Sequence, residues 1–274
     1  MKKWNRRTKV IALSMVLSLL FIAIYIAGML LPEELAAPSI RSTRLPPSTE
    51  HLFGTDALGR DLFFRTLKGL SVSTSVGLIA SVISAIIAVF VGIAAAMGSR
   101  RVDNLINWII DLVMGVPHMV LIMLISVAFG RGLKGLLIGV AATHWCSLAR
   151  LIRAEVMQLR SQQYVAVSRR LGKSSGWILV NHLLPHLLPQ FFVGLVLMFP
   201  HAILHEAAIS FLGYGLPPDQ PAIGIILAES MNYLSAGLWW PAVFPGLTLL
   251  IIVLLVDKLG DNLRMILDPY SAQE

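Results

Sequence analysis

GLSVSTSVGLIASVISAIIAVFVGIAAAMGS, residues 69–99, contains no charged side chain. A helix rises about 1.5 Å per residue, so roughly 20 apolar residues cross a hydrocarbon core about 30 Å thick. This stretch meets that length, and its apolar residues run continuously rather than alternating with polar ones. Every backbone N–H and C=O in lipid needs an internal partner, so a continuous run reads as a helix and not as a strand of a membrane barrel. Five further stretches are candidate spans: Val10–Leu31, Leu105–Phe129, Leu133–Ala149, Leu187–His205 and Leu238–Val256. The Leu105–Phe129 stretch contains Asp111 and is interrupted at Gly115-Val116-Pro117; the Leu133–Ala149 stretch is short. The expectation is an all-α, polytopic membrane helical bundle with six transmembrane helices.

Composition agrees with that reading. Hydrophobic residues make up 56% of the 274 and charged residues 14%, with mean hydropathy +0.76, outside the balance of a soluble domain. Gly92, Ala96, Gly135 and Gly139 are small enough to let neighbouring helices approach closely. The basic start Met1-Lys2-Lys3-Trp4-Asn5-Arg6-Arg7 precedes an apolar run longer than the roughly 7–15 residues of a signal-peptide core, so it reads as an uncleaved anchor. Ala36 and Ala37 leave a cleavage site open.

Basic loops stay on the cytoplasmic side, and this orients the bundle. With the N-terminus inside, 15 of the 22 Lys and Arg residues fall in cytoplasmic segments. The stretch 211–240 has none and is expected to face outward. An even number of spans puts both termini in the cytoplasm. The net charge of +7 is explained by residues beside spans, where topology and anionic lipid headgroups account for them, so nucleic acid is not an expected partner. The single cysteine, Cys146, excludes an intrachain disulfide and reads as a small buried apolar residue.

Between the fourth and fifth stretches lies Glu155–Pro185, basic, amphipathic and compatible with helix. Tyr164, Val167 and Leu171 share one helical face, with Arg169 and Arg170 pointing elsewhere. Gly172 can end this helix in a left-handed conformation. Ser174 or Ser175 can cap a second short helix carrying Trp177, which Pro185 would stop before the fifth span. Such a pair could rest on lipid headgroups or transmit a displacement from a docked partner into the spans.

Resemblance separates the two readings. Tyr164-Val165-Ala166-Val167-Ser168-Arg169-Arg170-Leu171-Gly172, followed by His182-Leu183-Leu184-Pro185, resembles the cytoplasmic coupling motif of ABC-importer permeases. Gly172, Leu184 and Pro185 match in register. Ala166 stands where the family usually has an acid, Val167 and Ser168 where it has alanines, and His182 also departs. Gly54-Thr55-Asp56-Ala57-Leu58-Gly59-Arg60-Asp61 is similar to a signature of the dipeptide, oligopeptide and nickel permeases. So is Glu206-Ala207-Ala208-Ile209-Ser210-Phe211-Leu212-Gly213, and so is the tail from Gly260-Asp261-Asn262-Leu263-Arg264 to Leu267-Asp268-Pro269.

The resemblance implies one permease chain of an ATP-driven importer of peptides, nickel or metal chelates in the bacterial plasma membrane. Its implied partners are a second, homologous permease, one or two cytoplasmic ATPases, an extracytoplasmic solute-binding protein and membrane lipid. Residues 1–68 form an anchor helix and external loop, and 69–274 the permease domain with coupling segment 155–185. Tyr164, Ala166, Val167, Ser168, Arg169, Gly172, Trp177, Leu184 and Pro185 become the expected ATPase-coupling residues. The sequence lacks a Gly-x4-Gly-Lys-Ser/Thr phosphate loop, so ATP and magnesium are expected on partner chains and no cofactor on this one.

Ionisable residues inside spans are costly and often functional. Asp111 and His118 flank the Gly115-Val116-Pro117 break and could face a pathway, although Asp111 also reads as a partner-satisfied acid near the cytoplasmic end and His118 as a hydrogen-bonded buried histidine. His201 and His205 stand four apart with Glu206 adjacent, a spacing able to chelate a metal, but two ligands are an incomplete shell and no metal site is assigned. No catalytic set is found. Two other classes remain: a secondary, ion-coupled transporter, for which no inverted repeat is seen, and a membrane-embedded enzyme.

Overall fold

A computed structural model describes residues 6–267. Ten α-helices form among them: α1 (Arg6–Leu30), α2 (Leu62–Met97), α3 (Arg100–Gly115), α4 (His118–Ala128), α5 (Leu133–Arg160), α6 (Gln163–Arg170), α7 (Ser175–Ile178), α8 (Leu184–Phe211), α9 (Ile223–Leu234) and α10 (Trp240–Leu267). Short 3-10 turns occupy Glu33–Ala36 and Ile40–Ser42, and there is no β-strand among the described residues. Five helical segments are long and apolar enough to cross a membrane. The pair α3 and α4 passes the same test only when taken together, and is bent by 98° at its break.

The break falls at Val116-Pro117. Both residues are extended in backbone, with ψ of 139° and 119°, and proline cannot continue the hydrogen-bond ladder of the preceding turn. The fourth span is longer than its apolar run suggested, continuing as helix from Ala149 to Arg160. Paired guanidinium groups make that extension possible. Arg153 makes a bidentate contact with Asp103 of α3 at 2.6 Å for each bond, Arg150 pairs with Asp111, and Arg160 donates to the Ala96 carbonyl at the end of α2.

α2 is the central post. Its 36 residues span about 54 Å at the helical rise, longer than a hydrocarbon core is thick. It packs chiefly on α5 and α8, and α1 and α10 cover a further side. The expected close approaches are present. A side-chain carbon on Gly92 would sit 2.7 Å from the Ala149 carbonyl oxygen, and Gly139 lies against the Ile122 carbonyl in the same way, so only small residues allow these helices to meet. Near the C-terminal end of α2 the core holds Ala88, Ile152, Val156 and Leu187; near its N-terminal end it holds Leu62, Leu70, Ile226 and Trp240. Leu19, Leu30 and Phe90 are among the apolar side chains left exposed on the outer helices, as a lipid-facing surface requires. Cys146 is buried and free.

One local expectation is corrected. Pro185 does not stop the second short helix: a π-turn over Leu179–Leu183 carries α7 into α8, and Pro185 follows directly on that widened turn.

Candidate functional site

At the N-terminal end of α2 the residues 54–61 form a compact loop around a buried carboxylate. Asp56, 1% exposed, accepts from the Leu58 and Arg60 amides at 2.9 and 3.0 Å, and from the guanidinium groups of Arg60 and Arg65 at 2.6 and 3.2 Å. Arg65, 4% exposed, also reaches across to α9 and grips Glu229 with two bonds of 2.5 and 2.7 Å; Arg60 adds a third at 3.0 Å. Two acids therefore offset two bases, and planar bidentate pairing suits guanidinium. Burial, and next the Asp56 carboxylate, push the neighbouring Tyr233 phenol up. Thr55 donates to the Ser42 carbonyl at 2.5 Å and accepts from the Leu45 amide at 2.8 Å, fixing the preceding turn. Asp61 caps α2 through the Phe63 and Phe64 amides and lies 2.7 Å from His51 Nδ1. Trp240 is buried here and donates to the Thr55 carbonyl at 3.4 Å, whereas Trp239 is half exposed.

The second signature joins three elements. Glu206 is fully buried and accepts from the Ser210 hydroxyl at 2.9 Å, which in turn accepts from the Leu216 amide at 3.1 Å. Beyond Phe211, Leu212 and Gly213, the Tyr214 carbonyl accepts from Ser126 of α4 at 2.8 Å. The Asp268-Pro269 part of the tail signature lies outside the described residues.

At the opposite end of α2, α6 and α7 form a hairpin. Gly172 adopts φ +79°, with Lys173 N–H donating to the Ser168 carbonyl and Gly172 N–H to the Arg169 carbonyl, both at 3.1 Å, the paired bonds of a Schellman stop. Ser174 caps α7 through the Trp177 amide at 3.2 Å. Val165, Ile178 and Leu183 are buried with Ile152, Val156 and Leu187, so the hairpin is bolted to α5 and α8. His182 is the joint. Its Nε2 is 2.8 Å from the Ser168 hydroxyl, and its ring meets Tyr164 and Trp177 edge-on at 5.4 and 5.2 Å. Val167 and Leu171, 54% and 74% exposed, face away from this anchor together with Ala166 and Arg169, and Leu184 and Pro185 remain exposed beside it.

Between the two ends, the α3–α4 break opens onto a cavity of about 760 Å³ walled by α5 and α8. His118, His201 and His205 all reach it; so does His144, which the sequence reading did not single out. The structure groups His205 with His118 and His144 as a trio whose ligating nitrogens lie within 4.8 Å of one another. Their ring centroids are 4.7 to 5.0 Å apart, all edge-to-face. His201 lies one turn from His205 on the cavity wall. Asp111 is paired with Arg150 and is not part of the cavity lining, and Glu206 points into the core. An ionisable residue within an apolar run was the one sequence signal that could have flagged His144.

The architecture is a membrane helical bundle with a cavity beside the α3–α4 break and a surface hairpin bolted to its core. The chain belongs to the family described as binding-protein-dependent transport system inner membrane component, which matches residues 88–269. It is 33% identical over 254 residues to the dipeptide transport system permease protein DppC of Bacillus subtilis, covering 93% of this chain and 79% of that one. The oligopeptide transport system permease protein OppC of the same organism is 31% identical over 265 residues, covering 97% and 86%. A Brucella abortus chain, provisionally named a peptide transport system permease protein, is 41% identical over 238 residues, covering 87% and 80%. In fold, the chain is similar to an inward-facing structure of the MetNI methionine ABC transporter, with TM-score 0.60 at 16% identity, over 76% of this chain and 98% of that one. The protein is therefore an ABC-importer permease of the inner membrane. It is a transport subunit and not an enzyme, and it works with ATPase chains and a solute-binding protein.

Proposed function

We propose that this permease moves short peptides or compounds built like them, and that closure of cytoplasmic ATPases reaches its spans through α6 and α7. The relatives' names support the solute class. The observation that carries the coupling role is the division of the hairpin into a buried root, Val165, Ile178 and Leu183, and an exposed apolar tip, Val167 and Leu171. An apolar tip outside the lipid needs a protein to cover it, and a root packed in the bundle core passes on any displacement of that tip. The unbroken run from α7 through the π-turn into α8 makes the linkage stiff.

In this reading the hairpin, with Tyr164, Ala166, Ser168, Arg169, Gly172 and Trp177, faces the cytoplasm, as do both termini. The residues 54–61 and α9 face the binding protein. A second, homologous permease completes the cavity, and ATP and magnesium stay on the ATPases.

Replacing Gly172 by leucine tests the coupling. Nothing lies within 4 Å of the added carbon, so the bundle has no reason to lose its packing, but the left-handed backbone costs about 1 kcal/mol and bends the tip. The reconstituted importer is expected to insert normally and to hydrolyse ATP with uptake strongly reduced. Wild-type uptake per ATP would count against the coupling role.

A further inference from the structure

The cavity holds a donor set that peptide transport does not call for. His118 comes from the first turn after the Pro117 break, His144 from the middle of α5 and His205 from α8, and one nitrogen of each lies within 4.8 Å of the other two. Two of them are set as ligands. The Nδ1–H of His144 donates to the Val140 carbonyl at 2.9 Å and that of His205 to the His201 carbonyl at 2.6 Å, which leaves each Nε2 with a free lone pair. Metal-bound imidazoles are oriented in this way, by a backbone carbonyl on the other nitrogen. The Nε2 of His144 is buried and finds no hydrogen-bond partner among the described residues, an unmet demand in the wall of an otherwise apolar pocket. His118 Nε2 is 3.5 Å from the Thr143 hydroxyl, the outer limit of a hydrogen bond, and that hydroxyl also lies 3.0 Å from the Gly139 carbonyl.

The spacing is short of closure by a rotamer adjustment. Three nitrogens at about 2.1 Å from one ion stand roughly 3.4 Å apart in tetrahedral geometry, and closer in octahedral geometry. A spread of up to 4.8 Å contracts to that with small ring movements.

Two features narrow the ligand. The donors are imidazoles, with the sulfurs of Met114, Met198 and Cys146 also in the lining, a set that suits nickel, copper, zinc or cobalt and not magnesium or calcium. The lining also contains no carboxylate, so a bare dication would bring two uncompensated charges to membrane depth, which is costly. A chelate whose own carboxylates cancel that charge, and which leaves coordination positions open, fits both conditions. We infer that His118, His144 and His205 form a transit site for a divalent transition metal carried in an anionic-donor chelate, the imidazoles filling the positions the chelator leaves free. This rests on the cavity being the transport path and narrows the peptide-like solute to one that carries a metal.

The assay is equilibrium dialysis of nickel(II) iminodiacetate, a neutral chelate with three open positions, against the complete importer in lipid nanodiscs without nucleotide. Expected is one chelate per chain, with affinity reduced at least tenfold in His118→Gln and in His205→Gln. All three rings are only partly buried, and an unchanged elution profile checks that each variant keeps its fold. Iminodiacetate alone and its calcium complex should not compete. Wild-type affinity in both variants, or no binding at millimolar chelate, overturns the site. Nickel(II) alone binding tenfold more tightly than its chelate overturns the chelate as the carried form. Because nucleotide is absent, a failure of ATPase coupling leaves this result unchanged.

Discussion

Arg65→Leu removes the guanidinium that ties the loop 54–61 to α9, and its cost can be worked from the contacts. Three charge-assisted bonds disappear, two to Glu229 and one to Asp56. Stranding a buried charge costs about 3–5 kcal/mol. Asp56 retains Arg60 at 2.6 Å, and the Glu229 side chain is 27% exposed and keeps both water and the 3.0 Å contact with Arg60, so the lower end, about 3 kcal/mol, applies. For a chain of this size that is an apparent midpoint lowered by roughly 6–12 °C. Thermal unfolding of the detergent-solubilised protein reads it, with tryptophan emission as the probe because Trp240 packs on Thr55 beside the network. Arg65→Lys keeps the charge without the planar fork and should fall between. The double variant Arg65→Leu/Glu229→Leu removes both partners and should be less destabilised than the sum of the two single variants. A midpoint within 2 °C of wild type in Arg65→Leu, or strict additivity in the double variant, refutes the reasoning.

Gly92→Leu drives a side chain into the Ala149 carbonyl and Ile152, an overpacking worth about 1–3 kcal/mol; the expected result is a lowered midpoint and poorer recovery from the membrane, checked by size-exclusion profile. His182→Ala removes the hydrogen bond to Ser168 and the ring contacts with Tyr164 and Trp177. Amides of residues 163–178 should then exchange with solvent faster while those of α2 remain protected, as mass-resolved hydrogen exchange would show.

Much of the bundle was legible because lipid imposes a simple condition, a long run without charge. The spans at 10–31, 69–99 and 238–256 follow from it, and the break at Gly115-Val116-Pro117 is written in the proline. α9 escapes the same rule because its 12 residues are too short to cross, and packing on α8 and α10 makes it a helix. The helical extension to Arg160 depends on Asp103, about 50 residues earlier, which periodicity cannot report. The sites show the same division. Ser174, Gly172 and the helix–turn–helix they bound act through local backbone chemistry and could be read directly. The Arg65–Glu229 pair is separated by 164 residues. The histidines illustrate it best: spacing couples His201 to His205, while the fold brings His205 to His118 and His144.

The central claim is that driving force enters through the tip of α6–α7, and Leu171→Cys tests it most directly. The native Cys146 is 2% exposed, so the new thiol is the reactive one, and Leu171 is 74% exposed. In inside-out vesicles stripped of ATPase, a membrane-impermeant maleimide should label it, and adding the ATPase back should protect it. Labelling from the outer face of intact cells, or labelling that the ATPase leaves unchanged, would contradict the account.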